Sequence, residues 1–229
     1  MSGADVPAQA GSVIAYVDGT PSGDEAVTWA IEEAGRRNAV VRVLPRRDPD
    51  RLLAETADAA LIVVGSTGFL AMSDLAAGST AMEVAVRADV PVVVVRPGLP
   101  GTASGPSAGR VVVGVDGTGL SEAAIGFAAA EADDRGCGLT LVHAMEREEH
   151  RGVAEAMLAR VAAARRDVRT VARVGMASVV LIEESAGAEL LAVGSRGRAG
   201  LSGMLLGSVS QAVVHRAYCP VAVVRAPVD

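Results

Sequence analysis

In the second half of the chain, short β-branched apolar runs alternate with longer stretches whose apolar residues recur at helical spacing. RVVVGVD (Arg110 to Asp116) predicts a buried strand, and the alanine-rich SEAAIGFAAAEADDRG after it predicts a helix opening on Ser121 as its cap. GLTLVHA is a second strand, the polar-faced EREEHRGVAEAMLARVAAARRD a long helix, and the alternating VRTVARV a third strand. MASVVLIEESAGAE, LLAVGS, SVSQAVVHRAY and PVAVVRA add helix, strand, helix and strand. Strands that are apolar almost throughout, each followed by a helix, predict an open parallel α/β sheet covered on both faces.

The same pattern opens the chain, with a piece missing. VIAYVDGT (Val13 to Thr20) matches VVVGVDGT (Val111 to Thr118) at an offset of 98, which also sets Trp29 opposite Phe127. Farther on, Gly65, Gly78 and Pro91 match Gly194, Gly207 and Pro220 at an offset of 129. The first copy is therefore 129 − 98 = 31 residues short, and the loss falls opposite Ala144 to Val174. The first copy runs from VVRVLP through DPDRLLAETADA straight to ALIVVGS, without the long helix and the third strand. The chain divides into a truncated domain at 11–97, a flexible linker at 98–109 reading GLPGTASGPSAG, and a complete domain at 110–229. So small a first unit is near the lower limit for an independent core and is expected to lean on its neighbour.

Half of the 229 residues are hydrophobic yet only 2 % are aromatic, so Val, Ala, Leu and Ile must fill the core. A net charge of −6 and a pI of about 5.2 argue against a nucleic-acid-binding face, which needs clustered Lys and Arg. The longest apolar runs, such as VPVVVVRP, are too short for a membrane span, and the opening MSGADVPAQAGS has no signal-peptide pattern. Cys137 and Cys219 lie far apart with no CxxC pair and read as reduced, mostly buried thiols. A cytoplasmic protein with no membrane or nucleic-acid partner is expected.

The candidate chemistry lies in GSRGRAGLSGMLLGS (Gly194 to Ser208). Its spacing, G-x2-G-x9-G-[ST], is neither the phosphate loop nor GxGxxG, and GSTGFLAMSDLAAGS (Gly65 to Ser79) repeats it. Gly194 ends a strand at the rim where open parallel sheets bind ligands, and has no side chain to keep a ligand off the backbone. Gly207 and Ser208 precede a helix carrying Val209, Val213 and Val214, whose first N–H groups are unpaired and suit a phosphate. Ser208 and Ser210 can donate to phosphate oxygens, and Arg196 or Arg198 can add positive charge. Such a frame suits a ligand with a sugar near the first glycines and phosphates near the last. The same glycines also serve to turn a strand into a loop and to cap a helix, and both readings stand.

The glycine spacing, the VDGT that closes the first strand and the ending GSVSQAVVHRAYCPVAVVR together resemble the universal stress protein family in its tandem-domain form, over nearly the whole chain. The resemblance implies a Rossmann-like sheet of the adenine nucleotide alpha hydrolase type. Its strand order would be 3-2-1-4-5 in the second copy, with the third strand missing from the first. It also implies ATP at the carboxyl ends of the strands, with Mg²⁺ left open as a companion. By position, Val115 and Asp116 meet adenine or ribose, the Ala144 backbone reads the adenine edge, and Val174 lines the pocket. Gly194 and Gly197 face ribose and phosphates, while Gly207, Ser208, Val209 and Ser210 hold the phosphates. In the first copy Asp18, Gly65, Gly68, Gly78 and Ser79 survive, but Asp74 repels phosphates and Thr80 and Ala81 replace Val209 and Ser210. A weak or empty site is expected there. Family members pair their last strands antiparallel, which implies pairing of the two copies and a homodimer through those strands.

Asp116 is equally read as a cap of its loop or helix. His143 reads as structural, His215 as a cation at a helix C-terminus, and His150 as part of a solvated helix start. No two histidines share a metal or catalytic spacing, and at least one of Glu183 and Glu184 falls on a solvated face. With no base beside a nucleophile and no Lys in the glycine loop, no catalytic residue and no metal site is assigned; slow hydrolysis of a bound nucleotide stays open. The leading reading is a non-enzymatic, ATP-binding regulator of stress response, and the alternative is a nucleotide-free dimerisation module on the same fold.

Overall fold

The computed structural model describes residues 11–45, 49–54, 58–66, 80–99, 104–195 and 206–226. The first copy contributes β1 (Ser12–Val17), α1 (Pro21–Arg37), β2 (Val41–Pro45), α2 (Pro49–Ala54), β3 (Ala59–Gly65), α3 (Thr80–Arg87) and β4 (Val92–Val95). The second contributes β5 (Arg110–Gly114), α4 (Glu122–Arg135), β6 (Gly138–Met145), α5 (Arg151–Ala162), β7 (Val168–Val174), α6 (Ala177–Glu184), β8 (Leu190–Gly194), α7 (Ser208–Arg216) and β9 (Val221–Val224).

These strands form one sheet in the order β2-β1-β3-β4-β9-β8-β5-β6-β7. Read from β5 to β9, the second copy has the order 3-2-1-4-5, and the first has the same order without its third strand. Every pairing is parallel except β4 with β9, which is antiparallel. At the centre of that seam Val93 pairs with Ala222, its own equivalent in the repeat (222 − 93 = 129), so the two copies are related by an internal twofold. Both β4 and β9 have neighbours on each side, and among the described residues the open edges are β2 and β7. The expected pairing of copies within the chain is met, but it leaves no last-strand edge for the expected homodimer.

Alternation along the strands sends successive side chains to opposite faces, and each face has one core running through both copies. On one face Ala26, Ala30 and Ala34 of α1 and Ala124, Ala128 and Ala132 of α4 lie against Val13, Leu61, Val93, Val113 and Ala222. On the other, Val84 of α3, Leu181 of α6 and Val213 of α7 cover Ile62, Val94, Leu191 and Val221. Alanine faces let these helices lie close to the sheet, which is how a core with so few aromatic residues is filled. The truncated copy shares both layers with its neighbour.

Several elements differ from the sequence expectation. Ser121 does not cap α4: it sits in a 3₁₀ turn (Gly119–Ser121) and its hydroxyl donates back to the Thr118 carbonyl at 2.9 Å. The long helix of the second copy is shorter, because β6 runs on to Met145 and a 3₁₀ turn occupies Glu148–His150 before α5. Residues 104–109 of the linker are not loose. Ser107 is fully buried and donates to Glu184 at 3.0 Å, and Gly109 N donates to the Gly187 carbonyl at 2.9 Å. Glu184 is likewise buried, joined also by Arg169 at 3.0 Å, while Glu183 is exposed and paired with Arg173 at 2.6 Å.

A buried ion network joins α1 to α4 across the seam. Glu33 and Glu131, 98 residues apart, are both fully buried. Arg37 donates to Glu33 at 2.6 Å and also bonds Glu131. Arg135 donates to Glu33 at 2.7 Å and to Glu131 at 2.8 Å, and Arg36 adds a bond to Glu33 at 3.1 Å. The same arginines stack on the other copy's aromatic ring, Arg37 on Phe127 at 5.8 Å and Arg135 on Trp29 at 5.5 Å. Burial pushes Glu33 up, but Arg135, Arg37 and Arg36 outweigh it and hold the carboxyl low; burial and the charge of Glu33 push Glu131 up.

Candidate functional site

In the second copy the strand order reverses between β5 and β8, and open α/β sheets bind ligands beyond the carboxyl ends of their strands at such a point. The last β5–β8 register pair is Val113 with Ala192, so the chains beyond it, from Val115 on one side and Gly194 on the other, border a crevice.

On the β5 side, Asp116 Oδ1 accepts from Thr118 N at 2.9 Å and from Thr118 Oγ1 at 2.7 Å. This turn needs Gly117 in the left-handed region, at φ +77°. The cap reading of Asp116 therefore holds for Oδ1, while Oδ2 takes part in neither bond. The first copy repeats the turn with Asp18, Gly19 and Thr20. There Thr20 goes on to cap α1 by accepting from Gly23 N at 3.2 Å.

Val115 is buried, its N–H donates to the Val142 carbonyl at 2.8 Å, and its carbonyl is bonded by His143 Nδ1 at 2.7 Å. Its N–H is taken by the sheet, and His143 holds the end of β5 through the Val115 carbonyl, a structural place. That Val115–Val142 bond is the last between β5 and β6. By alternation, the Ala144 N–H and C=O face the β5 side beyond it, at the rim. Val174 ends β7 and is 45 % exposed beside that rim.

On the β8 side, Ser195 N donates to the Val224 carbonyl at 2.8 Å, and Gly207 N donates to the Ser195 carbonyl at 3.0 Å. The helix start is thus sewn to the end of β8. Gly207 precedes α7 in an extended conformation with no side chain to cap it. The first N–H with a helical acceptor is that of Gln211, bonded to the Gly207 carbonyl at 3.0 Å. The N–H groups of Ser208, Val209 and Ser210 have none within the helix. Ser208 is exposed and Val209 half-buried. Ser210 is buried, and its hydroxyl donates to the Gly194 carbonyl at 2.6 Å. Its hydroxyl therefore ties helix to strand, and what it presents to the crevice is its N–H. Arg196, Gly197 and Arg198 lie outside the described residues.

In the first copy, Gly65 ends β3, and a Cβ there would overlap the Ser22 carbonyl in the first turn of α1. That glycine has a packing reason of its own. Ala81 is buried in the core; Gly68, Asp74, Gly78 and Ser79 lie outside the described residues. Cys219 is buried, Cys137 is partly buried, and neither forms a disulfide; burial pushes both thiols up, away from nucleophilic use. His215 lies in the last turn of α7, as expected. Sequence reasoning missed the Arg–Glu network, whose signal is that Glu33, Arg37 and Trp29 all recur as Glu131, Arg135 and Phe127 at the repeat offset.

Two repeats of an open α/β sheet, one intact and one lacking a strand, with a glycine-led helix start at the switch point, define a tandem Rossmann-like α/β architecture. Comparison with known proteins agrees. The chain matches the universal stress protein family over residues 45–96, 108–176 and 145–225, and it belongs to that family. A universal stress protein of Mycobacterium tuberculosis is 37 % identical over 195 residues, covering 73 % of this chain and 62 % of that protein. A second from that species is 32 % identical over 217 residues, covering 87 % and 72 %. The chain thus spans about three fifths of the length of the first of these relatives. Among solved structures, a universal stress protein from Archaeoglobus fulgidus shares the fold, with a TM-score of 0.70 at 18 % identity over 95 % of this chain and 99 % of that one. No helix among the described residues is long and apolar enough to cross a membrane.

Proposed function

We propose that the second copy binds ATP at the β5–β8 crevice and that the protein is a cytoplasmic regulator which holds the nucleotide as a signal. The observation that carries this is the α7 start. Three N–H groups without helical acceptors, at Ser208, Val209 and Ser210, are fixed to the end of β8 through Gly207 and Ser195. Phosphate oxygens match such a set of donors, and the helix dipole adds roughly 0.3–1 kcal/mol per favourable charge. The Ala144 backbone and the exposed Val174 suit the adenine, and Asp116 Oδ2 suits a ribose hydroxyl. Arg196, Gly197 and Arg198 complete the family pattern between the two halves. Mg²⁺ would ride on the phosphates. We assign no catalytic residue.

A second reading has its own observation. The seam, with β4–β9 pairing and the buried arginine–glutamate network, assembles the two copies without a nucleotide and leaves β2 and β7 as sheet edges for a partner strand, so the fold would also serve as an interaction module. A thermal-shift titration with ATP and Mg²⁺, alongside mass analysis of nucleotide released from the purified protein, separates the two. A ligand at 100 times its Kd stabilises by about 2.7 kcal/mol. A saturable shift that is lost in Gly207→Val supports the nucleotide reading. No shift and no released nucleotide gives the lead to the module.

A further inference from the structure

We infer that Arg225 is a phosphate-side residue of the second copy's site and that it couples occupancy of that site to the first copy. The inference rests on the nucleotide reading above. Two backbone bonds place Arg225 near the helix start: Val224 O accepts from Ser195 N at 2.8 Å, and Ser195 O accepts from Gly207 N at 3.0 Å. Alternation sends the Arg225 side chain to the same face as Val221 and Val223, the layer that holds Val213 and Val214 of α7. The guanidinium and the first turn of α7 thus share one face and one rim.

The contacts Arg225 makes among the described residues are with the first copy. Its Nη1 lies 3.4 Å from the Arg87 carbonyl, at the end of α3, and 3.4 Å from Asp89 Oδ1. These are long bonds, and the side chains are 27 % and 93 % exposed, so the pair is weak. The repeat equivalent, Arg96, is held tightly by contrast, donating to the His215 carbonyl at 2.7 Å. Arg225 is therefore free to be drawn away, and a planar guanidinium matches phosphate better than a single long contact to a carboxylate. A phosphate seated at Ser208 competes with Asp89 and the α3 carboxyl end for the same group. Filling the site loosens this tie between the copies, and by reciprocity loosening the tie strengthens phosphate binding.

The test is calorimetric titration of the full chain with ATP and, separately, with adenosine, on wild type, Arg225→Ala, Arg225→Lys and Asp89→Asn. Arg225→Ala should weaken ATP about tenfold and leave adenosine unchanged, with Arg225→Lys recovering part of the loss. Asp89→Asn, at an exposed position that should not disturb folding, should tighten ATP about two- to fourfold. Wild type that binds ATP while Arg225→Ala and Asp89→Asn leave its affinity unchanged overturns the inference and spares the nucleotide reading. Adenosine weakened as much as ATP by Arg225→Ala also overturns it, because the residue would then act through the fold. A wild type that binds neither ligand removes the nucleotide reading, and this inference with it.

Discussion

Two serines two residues apart divide the work at the start of α7. Ser210 is buried with its hydroxyl on the Gly194 carbonyl at 2.6 Å, whereas Ser208 is exposed at the rim. Ser210→Ala strands a carbonyl at the end of β8 and should lower stability by about 1 kcal/mol in urea unfolding. Ser208→Ala should leave stability within about 0.5 kcal/mol while weakening ATP in the same calorimetric assay. If the two variants behave alike in both measurements, the division is wrong. From sequence the two serines were equivalent candidates, because a helix start shows which residues lie near the N–H groups but not which hydroxyl already has an acceptor. Gly65 carries a similar lesson. The repeated spacing marks it as a ligand glycine, yet the approach of Ser22 explains it by packing alone. Gly65→Ala should cost about 1–3 kcal/mol as an overpacked contact, whether or not the first copy binds anything.

At the scale of elements, α1 and α4 show where pattern reading stops. Each helix taken alone presents Glu and Arg four residues apart, the usual sign of a solvated surface pair. Only when the β4–β9 seam brings the helices together do Glu33, Arg37, Glu131 and Arg135 close into one buried network. The strands, by contrast, were legible almost to the residue, because β7 and β8 are apolar or alternating runs bounded by turns. Removing one partner from a buried network leaves an uncompensated charge, so Arg135→Ala should destabilise by about 3–5 kcal/mol. The two carboxylates should not be equal. Glu33 is held low by three arginines, so it contributes stability above its unfolded pKa of about 4.3, lost as pH falls through its lower folded value. Glu131 is raised, so its charge works against the fold at neutral pH, and protonation relieves this as pH falls through its folded value. Glu33→Gln should thus destabilise more than Glu131→Gln at pH 7, with the gap narrowing as pH drops below about 4. Urea melts of both variants across that range check the sign, and a gap that widens on acidification would contradict it.

For the molecule as a whole, the lost strand and helix raise the question of how the first copy stays folded. Its sheet ends in an open β2 edge on one side and is joined through β4 to β9 on the other, and both core layers run across that seam without a break. The truncation was readable as a difference of two repeat offsets. The remedy was not, since continuity of a core belongs to no single segment. It has a measurable consequence, because the single tryptophan, Trp29, belongs to the first copy yet stacks on Arg135 of the second. Tryptophan fluorescence therefore reports docking of the first copy, while far-UV circular dichroism reports helices of both. With one shared core the two signals should coincide in a single urea transition. Val223→Pro removes a backbone donor of the seam: Pro220 and Val224 turn their carbonyls to β8, so by alternation Val223, paired with Val92, turns its N–H to β4, and a proline there deletes that ladder bond. In that variant the fluorescence transition should move to lower urea and separate from the circular-dichroism transition, since the complete second copy keeps its own strand order while the truncated first copy loses its support. Coincident transitions in Val223→Pro at an unchanged midpoint would mean that the seam is not what holds the first copy in place.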